Sequence, residues 1–406
     1  KRQGHPRRCF RELNNKLGLT QLSKRDIARM QLPSPLPLHD ALQDTELCHA
    51  WRQLLEAAPA YQALLDPDWW RSASDHLGQA SPYFLVCRRD GASLRWLVLI
   101  QRRSAFGMRW WQTAHHNHLP VAAMLRHPRV DPAQAGNEVA QALRADGALF
   151  LRCVRTPPGP ASESLQRAVS PPPAYIFPTG DFDTLFAGRS RNLRKQIRRR
   201  EKRLAEQANV RFEVIDHPDH PTLGLETFYQ LEASGWKQDG ASAIAFHEPL
   251  RNFYRQAAED FAARGQFRLF ALLADDTPIA MEYTLLCNDR RLYTLKCAYD
   301  EQWSKVSPGQ LLLCQVWRWC CENNLREYNQ VTSASWLQPW DPVVSPMNSG
   351  YIFSEGLRGR LACWSYDALY GLRNRLRPRA AATSGYVGAP LWFEHATPLS
   401  QYLLLW

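Results

Sequence analysis

Two proline clusters, Thr156-Pro-Pro-Gly-Pro160 and Ser170-Pro-Pro-Pro173, constrain this chain more than any other feature. Each proline fixes φ and removes a backbone donor, so neither a helix nor an interior strand runs easily through such a stretch. The segments on either side are expected to fold as separate runs of elements, with the connector as the domain boundary. A length of 406 residues fits that division, because single hydrophobic cores stop growing well before it.

Before the connector, apolar positions at helical spacing run from Glu46 through Leu47, Trp51, Leu54 and Leu55, and again around Trp69, Trp70 and Leu77. Strand-like segments come next at 83–88, 94–101 and 108–113, punctuated by Asp90-Gly91 and Phe106-Gly107, then a helical stretch at 137–144 and a strand at 148–154. After the connector the order recurs. Helices are expected near 183–206, 221–235 and 248–264, strands at 267–274, 279–287 and 291–299, a helix at 308–323 and a strand around 327–331. This mixture predicts an α+β fold used twice, each half a mainly antiparallel twisted sheet flanked by helices, without an alignable residue repeat. The expected units are an N-terminal extension at 1–45, a first half at 46–178, a second half at 179–376 and a tail at 377–406. The extension is basic and ends in Leu32-Pro-Ser-Pro-Leu-Pro37, which reads as a linker.

A net charge of +11 favours an anionic partner: phosphates, nucleic acid, an acidic protein or anionic lipid. The ten cysteines show no CxxC spacing, which predicts reduced thiols and a cytoplasmic setting rather than a disulfide framework or zinc site. No run approaches the roughly 18–20 apolar residues of a membrane span.

The strongest chemical signal is Ser307-Pro308-Gly309-Gln310, which opens an apolar helix just after the 291–299 strand. Free N–H groups at a helix start carry partial positive charge, Pro suits the first turn and Gly admits close backbone approach, so this element is suited to phosphate. An ordinary N-cap by Ser307 is the plain alternative. Glu282 lies mid-strand among Met281, Tyr283 and Leu285, where an unpaired carboxylate would titrate high and act as a base; a solvent-facing Glu is the competing reading. Lys237 beside Trp236 is placed to orient a phosphate or carboxylate, and Tyr299 and Asp300 end the strand that leads to the phosphate-type turn. The segment 189–203 holds nine Lys or Arg against Glu201 alone, on a helix whose apolar stripe is Leu193, Ile197 and Leu204. Its basic patch, Arg194, Lys195, Arg198 and Arg199, suits tRNA, an acidic carrier protein or coenzyme phosphates. His115-His116-Asn117-His118 lacks the accompanying Asp, Glu or Cys that a metal site would need, and no GxSxG, Walker A or GxGxxG motif is present.

Several motifs taken in order resemble the BioF2-like acetyltransferase group of the GNAT superfamily, which includes CelD-like proteins of polysaccharide gene clusters. They are Asn192-Leu-Arg-Lys-Gln-Ile-Arg-Arg199, Leu231-Glu-Ala-Ser-Gly-Trp-Lys237, Pro278-Ile-Ala-Met-Glu-Tyr283, Lys296-Cys-Ala-Tyr-Asp300 and Ser307-Pro-Gly-Gln-Leu-Leu312, spanning about 180–340. The resemblance implies a catalytic GNAT-like second half paired with a degenerate first half, as in the related FemABX aminoacyl transferases. It implies an acyl-CoA or phosphopantetheine-linked donor held by Ser307, Gly309, Gln310, Leu311, Tyr299 and Asp300, without a metal. Catalysis falls to Glu282, Lys237 and Tyr283, and acceptor binding to Trp236, Trp336 and Trp340. The chain departs from the group after the last strand, where members often carry an acid and then a Lys; here stand Asn329, Gln330 and the segment 336–340, with no Lys. The expected activity is transfer of an acyl group to an amine or hydroxyl. The alternatives are a FemX-like transferase drawing on aminoacyl-tRNA and a non-catalytic adaptor with a basic surface.

Overall fold

The computed structural model describes residues 33–376 apart from 58–60, 80, 106, 122–123, 158–161, 217–219, 221 and 235–242, and side chains as far as 368. Its strands form two sheets. In chain order they are β1 (Leu36–Pro37), β2 (Tyr83–Asp90), β3 (Ser93–Ala105), β4 (Met108–Thr113), β5 (Met124–Arg126), β6 (Phe150–Thr156), β7 (Gln166–Val169), β8 (Ala174–Pro178), β9 (Val210–Ile215), β10 (Phe267–Ala274), β11 (Thr277–Leu286), β12 (Arg291–Tyr299), β13 (Glu327–Asn329), β14 (Val343–Ser345) and β15 (Asn348–Phe353). The first sheet runs β1-β2-β3-β4-β6-β15-β7, with β5 on β3; the second runs β14-β8-β13-β12-β11-β10-β9.

Each sheet repeats one plan. An antiparallel meander ends in a parallel pair, β4 with β6 in the first sheet and β12 with β13 in the second. A parallel pair needs a long crossover, and a helix supplies it in both: Pro132–Asp146 in the first half and Pro308–Glu322 in the second. The architecture is therefore α+β with tandem halves, as the recurring pattern predicts.

The halves exchange strands. β8 precedes the second half in sequence yet pairs antiparallel with β13, while β15 lies late within that half yet pairs antiparallel with β6. Their sequence neighbours take the edges of the opposite sheets, β7 beside β15 and β14 beside β8. Strands thus cross the expected boundary at 178/179 in both directions, and β7 lies between the two proline clusters as an edge strand, where missing donors cost least. The N-terminal reading also changes: within the expected extension, β1 pairs with β2, the helix Leu38–Ala41 comes directly after it, and Leu38, Ala41 and Leu42 are buried.

The cores reflect this layering. A central core joins the halves, with Leu85, Leu97 and Leu99 from the first sheet, Met281, Tyr283 and Tyr293 from the second, and helices from both between them. Trp69 from helix Pro67–Leu77 packs edge-on against Phe253 of helix Glu248–Ala262, and Arg264 pairs with Asp66 at 3.0 Å. Outside the first sheet, Trp96, Val98, Trp111 and Leu151 pack on the Pro132 helix; outside the second, Phe270, Trp317 and Tyr328 lie with the Pro308 helix and the stripe Leu193, Ile197 and Leu204. The alternation of β10 and β11 sends consecutive residues to opposite cores, which bears directly on the candidate site.

Candidate active site

β12 pairs with β13 only from Arg291 to Tyr293, although it stays paired with β11 as far as Tyr299. Beyond Tyr293 the two parallel strands part. Asn329, Gln330 and Val331 turn the chain away: the Val331 N–H donates to Asn329 Oδ1 at 2.8 Å, and the Gln330 N–H donates to the Tyr175 carbonyl at 2.9 Å. Val331 sits at φ +56°, a costly conformation for a β-branched residue. Its carbonyl accepts from Arg155 Nη2 at 2.9 Å, and Arg155 also donates to the carbonyls of Pro120 and Pro172. One first-half arginine therefore clamps the diverging arm. The other arm, β12 from Thr294 onward, has no partner strand on that edge among the described residues, and Cys297 and Tyr299 reach solvent from an interior strand.

The Pro308 helix begins beside the open end of this gap. Ser307 is left-handed (φ +51°), and its side chain does not cap the helix; Ser307 Oγ donates instead to the Ser304 carbonyl at 3.4 Å. The ordinary N-cap alternative is thus not the observed arrangement. A Cβ on Gly309 would meet the Tyr299 ring at 3.8 Å and nothing closer, so backbone is approachable there. Ser307, Gly309 and Tyr299 come together as expected. Asp300, Gln310 and Leu311 spend their side chains otherwise: Asp300 caps the short turn Glu301–Val306 through the Gln302 N–H, and Leu311 is buried in the outer core. Gln310 Nε2 donates to the Trp336 carbonyl at 3.2 Å, and Gln310 Oε1 accepts the Trp340 indole N–H.

These bonds tie the segment Ser335–Trp340 to the helix start. Trp336 stays half-exposed there, whereas Trp340 is fully buried against Phe177 and Trp317 and belongs to the core rather than to an acceptor surface. Trp236 and Lys237 lie outside the described residues. The basic helix Arg191–Ala205 is capped by Ser190, buries its predicted stripe and packs against both the Glu301–Val306 turn and the Pro308 helix. Lys195, Arg198 and Arg199 are exposed on it, while Arg194 is half-buried and donates to the Arg189 carbonyl.

Glu282 and Tyr283 cannot share a site, since they face opposite sides of the sheet. Tyr283 points into the central core and donates to the Tyr254 carbonyl at 2.9 Å; burial lifts its phenol well above the ordinary range. Glu282 points into the outer core at 1% exposure, not into a cleft beside the helix start. Its Oε2 accepts from Tyr328 at 2.6 Å and from Thr294 at 3.2 Å, and Gln330 Nε2 donates on to Thr294 at 3.4 Å. Burial raises its carboxyl to about 7 against the lowering effect of those two hydrogen bonds. The group titrates near neutrality, yet it reaches the gap only through Thr294 and Gln330.

Lys296 lies on β12 past the point where β13 leaves it, and His116 of the first half feels its charge. Lys296 is the cross-strand partner of Tyr283, and its charge, after burial, holds the His116 imidazole below the usual range. His118 Nδ1 lies 2.9 Å from the Tyr254 hydroxyl. The loop 115–118 thus serves the junction between halves, and among the described residues no group of His, Cys, Asp and Glu is arranged for a metal. The sequence marked both segments, one as a motif and the other as a rejected metal cluster, but gave neither Lys296 nor His116 a role of its own.

Residues 191–335 match the family model described as the acetyltransferase (GNAT) domain. No curated protein matches the chain. Among solved structures, it is similar to the C-terminal domain of a protein described as a putative lysylphosphatidylglycerol synthetase from Agrobacterium fabrum, at 12% identity and TM-score 0.51 over 79% of this chain and 96% of that one. It is likewise similar to FemX, at 12% identity and TM-score 0.51 over 80% of this chain and 98% of that one. At such identity the likeness concerns the fold, and the match to the acetyltransferase (GNAT) domain is carried by residues 191–335.

Proposed function

We propose that this protein is a GNAT-type transferase that moves an acyl group from a thioester donor, acyl-CoA or a phosphopantetheine-linked carrier, to an amine or hydroxyl, with the donor's anionic end at Ser307 and Gly309. The observation that supports this is the juxtaposition of an uncapped helix start with the parting of β12 and β13. The helix end favours the phosphate, and the edge of β12 beyond Tyr293, where no described strand adjoins it, supplies backbone groups to a thioester lying in the gap. The acceptor's lone pair attacks the carbonyl carbon, the C–S bond breaks, and the thiolate leaves and takes up a proton. His116, held neutral by burial and Lys296, takes the acceptor's proton from the first-half side. Glu282 acts as a positioning residue that fixes Tyr328 and Thr294 beneath the gap.

Titration calorimetry with CoA, acetyl-CoA and longer acyl-CoA tests the donor, and thiol release with amine and alcohol panels tests the transfer. Binding of acyl-CoA with thiol release is the expected result; no heat with any thioester removes this reading. A second reading, a FemX-like transfer from aminoacyl-tRNA, is favoured by the exposed Lys195, Arg198 and Arg199 on a helix packed against the turn before Ser307. It requires tRNA binding that weakens steeply with salt and collapses when these three become Glu. Binding indifferent to salt and to those substitutions rejects it.

A further inference from the structure

The helix after each exchanged strand offers an internal control. After β8, past the short helix Phe182–Ala187, comes the long helix Arg191–Ala205, whose apolar stripe is buried under the second sheet. After β15 comes Leu357–Leu376, and its stripe faces outward. Leu357, Leu361 and Trp364, at helical spacings of four and seven, are 68%, 52% and 70% exposed, and Ala368 continues the same face. The helix is held to the body from its other side, by Tyr366 against the Tyr351 ring and by Asp367 paired with Arg167 at 2.6 Å. A cavity of about 800 Å³, lined by Gly136, Ala140, Phe353 and Cys363, lies between it and the Pro132 helix. Fold stability therefore does not explain the apolar face.

Charge identifies its occupant. Arg358 and Arg360 project on either side of the stripe and are exposed, and Arg373, Arg375, Arg377 and Arg379 extend the basic run along the sequence. The one acid within the helix, Asp367, is occupied by Arg167. A second copy meeting this face about a two-fold axis would bring these arginines against their own kind. A narrow Leu/Trp stripe between arginines instead matches an anionic lipid interface, where apolar side chains enter the acyl boundary and guanidinium groups stay with the phosphates. No described helix is long and apolar enough to cross a membrane, so the contact is one of lying on the surface.

We propose that Leu357–Leu376 docks this protein on anionic membrane surfaces through Leu357, Leu361 and Trp364, with Arg358 and Arg360 on the headgroups. The inference is independent of the donor assignment. Vesicle flotation of the full chain tests it, with phosphatidylcholine alone and with equal parts phosphatidylcholine and phosphatidylglycerol. Expected are binding to the mixed vesicles that weakens with salt, and a loss of roughly tenfold or more for the double variant L361E/W364E at unchanged melting temperature. The variant R358E/R360E, which leaves the stripe intact, should also lose binding to mixed vesicles. Absence of binding to mixed vesicles, or equal binding by wild type and both variants, overturns the proposal. So does light scattering that shows the full chain as a dimer dissociated by L361E/W364E, which would assign the face to a second copy.

Discussion

The two halves use the same frame and close it differently. In the first, the crossover helix starts at Asp131-Pro132, and the Asp131 carboxylate accepts the Gln134 N–H at 2.9 Å, placing a negative charge on the helix's positive end. In the second, Ser307-Pro308 leaves that end uncapped. Where β4 and β6 part, Thr113 Oγ1 accepts the Val154 N–H at 3.0 Å and stitches the strands together; where β12 and β13 part, Val331 turns the chain away and the edge stays open. Behind the first gap lie Trp96, Val98, Ile100 and Trp111; behind the second lie Glu282, Thr284, Thr294 and Tyr328. Apolar packing and a self-supplied cap close one copy. Buried polar groups and an uncapped helix start leave the other open.

The largest effect should come from breaking the exchange that makes the halves one body. Ile352 on β15 is 3% exposed in the outer core of the first sheet, so Ile352→Ala should cost about 3–4 kcal/mol. Hydrogen exchange should locate the loss in β2 to β6, far upstream in sequence; loss confined to β10 to β13 would contradict the topology. Next is the buried carboxyl. Glu282 titrates at about 7 when folded and near 4.5 when unfolded, so between these values the native state holds the extra proton. Stability must then fall as pH rises from about 4.5 to 7, by up to about 3 kcal/mol. Glu282→Gln, which retains an acceptor for Tyr328, should flatten that slope in denaturant titrations at pH 5 and 8. An unchanged slope would show that Glu282 does not carry it.

Ser307→Asp places a negative charge at the second half's helix start, as Asp131 does in the first. Acyl-CoA affinity should fall about a hundredfold, near 2.7 kcal/mol, while the melting temperature holds or rises. Undiminished affinity would move the donor elsewhere. The smallest effect belongs to Asp131→Ala, which removes the first cap: about 1 kcal/mol of stability, read by chemical denaturation, with no change in donor binding. A change in donor binding would break the division of labour between halves.

Local pattern made much of this legible. β10 and β12 run over the residues their apolar runs predict, and Pro308 marks the helix start because proline and glycine act through their own backbone chemistry. The exchange of β8 and β15 was not legible, since pairing between residues about 150 and 200 positions apart leaves no local signature. Proline misled at the N-terminus: Pro37 lies on an edge strand, where proline is tolerated, rather than in a linker. At the site, the helix-start elements were readable from residue type, whereas Trp340 and Tyr283 needed the fold to show them buried. Glu282 was readable as a high-titrating carboxyl; its seclusion behind Tyr328 was not.

The crossing of β15 into the first sheet also fixes a timetable. Until Phe353 has left the ribosome, β6 lacks the partner that completes its sheet, although all of β6 was made about two hundred residues earlier. At about 5–20 residues per second that is a wait of roughly 10–40 s with an open strand edge. During synthesis the first half is therefore the part exposed to mispairing and in need of protection, even though it is the half that finally carries the more apolar outer core.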